Sequence, residues 1–152
     1  MSRILLALFQ KSPQYRRMTV LYIMRYLGID YGEKRIGIAL SDESFLMAFP
    51  EGTIENTSLP RVIKKIKTLV TEKGVLKIVI GLPVALAGHE THGSRAARNF
   101  AEILKNSFQG EIIFENEMLT TKLARAYGQK EEIDASSAAL ILQSYLDKIK
   151  KR

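Results

Sequence analysis

Three carboxylates in this chain stand where chemistry is expected. Asp30 lies in L-G-I-D-Y-G-E-K-R, Glu117 in I-I-F-E-N-E-M-L-T-T and Asp134 in E-I-D-A-S-S-A-A-L-I-L. Each falls where an expected strand ends or an expected helix begins. Carboxylates gathered at such edges hold divalent metal ions, and ions held in this way cut phosphodiester bonds. Each acid also has a purely structural reading. Asp30, followed by Tyr31 and Gly32, suits a turn. Glu117 suits a solvated loop. Asp134, before Ala-Ser-Ser-Ala-Ala, suits a helix N-cap. Lys34 and Arg35 follow Asp30 closely, and Arg95 and Arg98 lie on an expected helix. All four are placed to meet phosphate oxygens, or equally to sit on a solvated surface. His89 and His92 are the only histidines. Lying in a glycine-bounded loop, they read as substrate contacts on a mobile loop rather than as a zinc site.

The elements that must position these residues follow from periodicity. Residues 25–30 form an apolar run ending in Asp. Residues 36–41 alternate Ile36, Ile38, Leu40 with Gly37, Ala39, Ser41, the period of a strand. The short connection between them predicts a hairpin. A third strand is expected over 45–49, stopped by Pro50. Leu59, Val62, Ile63, Ile66, Leu69 and Val70 recur at helical spacing, with Pro60 in the first turn and Gly74 at the end. The run 76–80 predicts a buried strand, 84–94 a loop, 94–107 a helix and 111–115 a further strand. Helices are expected over 119–127 and 134–149, separated by a break at Gly128. Three antiparallel strands followed by alternating helices and strands make an α/β fold, a mixed sheet covered by helices.

Composition narrows the classes. One domain is the natural expectation for 152 residues. The absence of cysteine excludes disulfides, zinc–thiolate sites and thiol catalysis. No apolar run reaches the roughly 20 residues of a membrane span. The net charge of +7 comes from the ends: residues 26–147 hold 14 basic and 16 acidic residues, a net of −2. Residues 1–24 are basic and then briefly apolar, without a small-residue cleavage site, which argues against a signal peptide. They are expected to be a dispensable extension or a start assigned too early, with Met18 and Met24 as alternatives. The domain proper is expected over 25–150.

Taken together, these segments resemble the YqgF (RuvX) family of Holliday-junction-resolvase-like proteins and pre-16S rRNA nucleases. L-G-I-D-Y-G-E-K-R-I-G-I-A-L-S-D is similar to its opening, and V-I-G-L-P-V-A-L-A-G to its central V-G-L-P-L-x-x-x-G. F-E-N-E-M-L-T-T is similar to its D-E-R-L-(S/T)-T, and D-A-S-S-A-A-L-I-L-Q-S-Y-L to its closing D-x-x-A-A-x-x-I-L-x-x-Y-L. The four motifs run in order from about Tyr26 to about Leu146. The resemblance implies a ribonuclease-H-like fold and a nuclease site with Asp30, Glu117 and Asp134 around Mg²⁺ or Mn²⁺. It also implies a nucleic-acid partner (precursor rRNA, or structured DNA) and a cytoplasmic location, and the sequence leaves the oligomeric state open between monomer and dimer. Two positions depart from the pattern, since Asn116 replaces an acid and Met118 an arginine. The stretch Gly128–Ile133 before Asp134 is also short for the family. A sugar-kinase-like ATPase shares the D-x-G opening but needs two such domains. A non-catalytic RNA-binding assembly factor is the reading that Asn116 and Met118 favour.

Overall fold

The computed structural model describes residues 23–83, 89–116 and 130–151. β1 (Arg25–Tyr31) and β2 (Arg35–Ser41) form an antiparallel hairpin, and β3 (Ala48–Glu55) adds antiparallel to β2. β4 (Val75–Leu82) and β5 (Glu111–Asn116) run parallel to β1, in the sheet order β3-β2-β1-β4-β5. Parallel neighbours need long crossovers. α1 (Leu59–Lys73) lies in the chain between β3 and β4, and α2 (His92–Lys105) between β4 and β5. α3 (Lys130–Lys150) follows β5.

Strand alternation divides the core between the two faces of the sheet. Leu27, Ile29, Ile36, Ile38, Leu40, Ile78 and Ile80 pack with Val62 and Ile66 of α1 and with Ala97, Phe100 and Leu104 of α2. Ala39 and Val79 point the other way, against Ala138, Ile141, Leu142 and Leu146 of α3. Each fully buried aliphatic side chain is worth roughly 1.5–3 kcal/mol, so the α1/α2 face carries most of the apolar stabilisation. At the end of the sheet remote from Asp30, Asp42 organises the β2–β3 loop. Its Oδ1 accepts the Leu46 and Met47 N–H groups at 2.7 and 2.9 Å.

Two expectations are corrected. The third strand was expected over 45–49, but it begins at Ala48 and continues through Pro50 to Glu55. Pro50 is tolerated because β3 is an edge strand, where a missing N–H costs no ladder bond on the solvent side. The register with β2 shifts there, Ala39 opposing Pro50 while Ile38 opposes Gly52. The last helix begins at Lys130, four residues before Asp134. Asp134 is therefore not its N-cap, and 130–133 are helical rather than loop. The helix expected over 119–127 lies outside the described residues.

Candidate nuclease site

Asp30 is the penultimate residue of β1, an inner strand, and is half-buried. Its place is fixed from both sides. Next to it, Tyr31 turns to the opposite face and stacks on Phe100 of α2 at a centroid distance of 4.7 Å. Asp30 itself is paired directly with Gly37 of β2. Residues directly opposite in an antiparallel pair share a face, so the Asp30 side chain emerges on the face that α3 covers.

Gly37 brings the second acid. A Cβ at this position would lie 1.9 Å from the backbone oxygen of Asp134. Only glycine admits the helix so close. Gly28, two residues below Asp30 on the same face, repeats the device, because its Cβ would meet the Ala138 oxygen at 2.7 Å. The backbone of α3 at Asp134 and Ala138 thus presses against strand glycines. The result sets Asp134 over the strand neighbour of Asp30. Two acidic residues more than a hundred positions apart in sequence are thus neighbours on one face of the sheet.

Charge at this corner is partly compensated. Arg35, two residues from Gly37, pairs through Nε with Asp134 Oδ2 at 3.2 Å. Both side chains are about three-quarters shielded, at 23% and 29% exposure. Arg35, expected at a phosphate, is here paired with Asp134. Lys34, by contrast, lies exposed at the hairpin tip. The tip is tied down by Asn56, which donates from its backbone to the Lys34 oxygen at 3.0 Å and from Nδ2 to the Gly32 oxygen at 2.9 Å. Arg95 and Arg98 lie on the exposed side of α2 and share Glu90, at 3.9 and 3.4 Å. Arg98 also lies over the Phe114 ring at 5.1 Å. Thr91 caps α2 with a reciprocal Thr91–Ser94 box. His92 Nδ1 stands 3.4 Å from Glu33, which links α2 to the hairpin tip. Among the described residues no group of three or more His, Cys, Asp or Glu is arranged to hold a metal. Glu117, His89's loop neighbours 84–88 and Met118 lie outside the described residues. Asn116 is exposed at the end of β5, opposite Leu82.

Sequence reasoning missed a second polar cluster on the α3 face. Glu115 is 5% exposed, accepts the Ser144 hydroxyl at 2.7 Å and pairs with Lys148. Lys77 donates to Tyr145 Oη at 2.9 Å, pairs with Glu111 at 2.9 Å and lies over the Tyr26 and Tyr145 rings. Burial works to lower the Lys77 pKa. The bonds to Tyr145 and Glu111 outweigh it and hold the ammonium above its ordinary value. These groups surround a cavity of about 410 Å³ and fasten α3 to β4 and β5. The available signal was alternation: positions 77, 111 and 115 share one strand face, where a charge must find a partner.

The sheet order and the crossovers define a ribonuclease-H-like fold. Thermus thermophilus RuvC in complex with Holliday junction substrate superposes with a TM-score of 0.56 at 11% identity, covering 83% of this chain and 96% of that one. The fowlpox virus resolvase bound to a Holliday junction gives 0.52 at 10% identity, over 83% and 99%. The model of the RuvX family, described as Holliday junction resolvase, matches residues 24–148. A Sulfurihydrogenibium protein named "Putative pre-16S rRNA nuclease" is 42% identical over 134 residues, covering 82% of this chain and 91% of its own. A Rickettsia typhi protein of the same name is 35% identical, over 82% and 86%. The chain belongs to the RuvX family.

Proposed function

We propose that this chain is a cytoplasmic, metal-dependent endonuclease that processes the 5′ end of precursor 16S rRNA. The observation that carries the reading is the meeting of Asp30 and Asp134 at one corner of the α3 face, enforced by the Gly37 contact. The relatives named for pre-16S rRNA support the substrate class. Asp30, Asp134 and Glu117 would hold Mg²⁺ or Mn²⁺. The two described carboxylates offer hard oxygen donors, and a chain without cysteine offers no thiolate to favour a softer ion. A bound metal would supply an activated water and neutralise charge at the phosphorus.

The chain's own residues have distinct tasks in this scheme. Asp30, locked between the Tyr31 stack and its Gly37 pairing, fixes the position of the site. Asp134 arrives on a helix and carries Arg35 with it. Arg35 balances the carboxylate and, when released, faces a phosphate oxygen. Lys34, Arg95 and Arg98 bind the backbone on either side, with Glu90 exchanged for phosphate at the two arginines. The family match starting at residue 24 supports a nuclease domain over 25–150, with 1–24 dispensable. A protein starting at Met24 should melt and cleave like the full chain.

A second reading, a DNA junction resolvase, draws support from the likeness to junction-cutting folds. Cleavage of an RNA carrying the 16S 5′ leader is measured beside a four-way DNA junction, each with and without Mg²⁺. Leader cleavage by wild type and none by Asp30→Asn supports the proposal. Cutting of the junction alone transfers the activity to DNA. Equal cleavage by the two proteins removes Asp30 from the mechanism, and cleavage by neither leaves the non-catalytic reading that Asn116 and Met118 favour.

A further inference from the structure

We infer that the exposed face of α1 is a second nucleic-acid contact, which holds a double-stranded RNA arm flanking the cut. This inference rests on the nuclease reading and extends it to the opposite side of the sheet. Its basis is a contrast in how the bases of this protein are used. Arg25, Arg35, Lys73, Lys77, Arg95, Arg98, Lys105, Lys148 and Lys150 each have a carboxylate within salt-bridge distance. Arg61, Lys64, Lys65 and Lys67, four exposed bases within seven residues of α1, have none among the described residues. Counting Lys73 and Glu72, α1 carries five bases and one acid, a net of +4. Between β1 and β5 the protein is otherwise close to neutral, so this density is local.

The place of these cations gives them a direction. Asn56 fastens the hairpin tip, and so the exposed Lys34, to the segment that enters α1 three residues later. Lys34 stands at the Asp30 end of the sheet. Arg61, Lys64, Lys65 and Lys67 continue away from it over about 9 Å of helix. A nucleic-acid strand presents a charge about every 3.4 Å of helix axis, so this length spans two to three phosphates. A polyanion leaving the catalytic corner past Lys34 meets α1 next. Such contacts register backbone rather than sequence, which suits a structured arm beside a cleavage site. Lysine and arginine without intramolecular partners also bind phosphate without first giving up an ion pair.

The test uses the full chain with Asp30→Asn, so that binding is read without cutting. The probe is a fluorescent RNA with a 14-base-pair hairpin arm and a single-stranded extension, and affinity is measured across 50–300 mM KCl. Changing Arg61, Lys64, Lys65 and Lys67 together to Gln should weaken binding about 10- to 100-fold at 100 mM salt. The slope of log K against log salt should fall by about 2–3, near 0.9 for each lost phosphate contact. In the active background the same change should raise KM and leave kcat at saturation unaltered. Lys105→Gln removes a paired base from the same side and should leave the slope unchanged. A melting curve for each variant confirms that it folds. If the four-residue variant keeps the wild-type slope, or the paired-base control loses as much, the surface is refuted while the nuclease reading stands. A slope change seen with duplex DNA but not with the RNA refutes the RNA assignment. Wild type that neither binds nor cleaves any nucleic acid removes both readings.

Discussion

The two faces of the sheet are packed by different means, and the difference separates stability from chemistry. On the α1/α2 side, large aliphatic residues such as Ile29, Ile66, Ile80 and Leu104 interdigitate. On the α3 side, strand glycines meet helix backbone, the apolar cluster is smaller and charged pairs fasten the edges. A core of large side chains tolerates small repacking. A helix seated on Gly28 and Gly37 has no such slack, and it carries Asp134. The first face holds the domain together, while the second determines where its acids lie.

Five perturbations would break or sharpen this contrast. Asp30→Asn should cost the most activity, roughly 10³-fold or more in metal-dependent cleavage, since a lost ligand removes several kcal/mol of charge stabilisation. Its melting temperature should stay close to wild type. Next come two changes of similar stability cost and opposite functional effect. Gly37→Ala forces a methyl against the Asp134 carbonyl and should destabilise by about 3 kcal/mol, with activity per folded molecule down about 100-fold through displacement of the acid. Ile66→Ala, fully buried on the other face, should cost about 2–5 kcal/mol yet leave activity per folded molecule intact. Denaturant titration beside single-turnover cleavage separates the two, and equal activity losses would erase the division between faces.

Arg35→Gln should act more gently. The Arg35–Asp134 pair is partly exposed and worth up to about 1 kcal/mol. Without a guanidinium competing for Oδ2, Mn²⁺ titrated calorimetrically in the absence of RNA should bind up to about fivefold more tightly. Weaker binding would mean that Arg35 aligns Asp134 for the ion. The smallest effect belongs to an acid at the other end of the sheet. The Met47 N–H, then the Ser44 hydroxyl and the Leu46 N–H, hold the Asp42 carboxyl below its ordinary value. Its lowered folded-state pKa contributes stability above about pH 4, lost as pH falls further and the carboxyl protonates. Wild type should therefore slightly exceed Asp42→Asn in melting temperature at pH 6, and the gap should close as pH falls below about 4. Cleavage at neutral pH should not differ.

Much of this was legible in the sequence because it is periodic. The alternation of Ile36, Ile38 and Leu40 and the spacing of Val62 and Ile66 reported β2 and α1 with nearly their observed limits. Pro50 misled, since a local stop signal does not reveal that the strand lies at an edge, where proline is harmless. Asp134 misled in the same way: its capping propensity is local, whereas the helix begins at Lys130 and the acid is positioned by Gly37, nearly a hundred residues upstream. The pairing of Arg35 with Asp134 and the burial of Glu115 were hidden for the same reason, because both partners in each case are set by register and helix docking. Types and motifs were visible one residue at a time; partnerships were not.

The seating of α3 on strand glycines has a consequence for the order of events in a single molecule. β1 and β2 can pair locally, but Asp134 reaches them only when a helix from far along the chain has docked, and such non-local contacts close late. A copy that is still folding, or whose last helix has opened locally, holds Asp30 without its companion and has no complete set of acids. If Asp30 and Asp134 cut together, as proposed, cutting competence certifies completed folding, and an immature or damaged copy is harmless to nucleic acid around it.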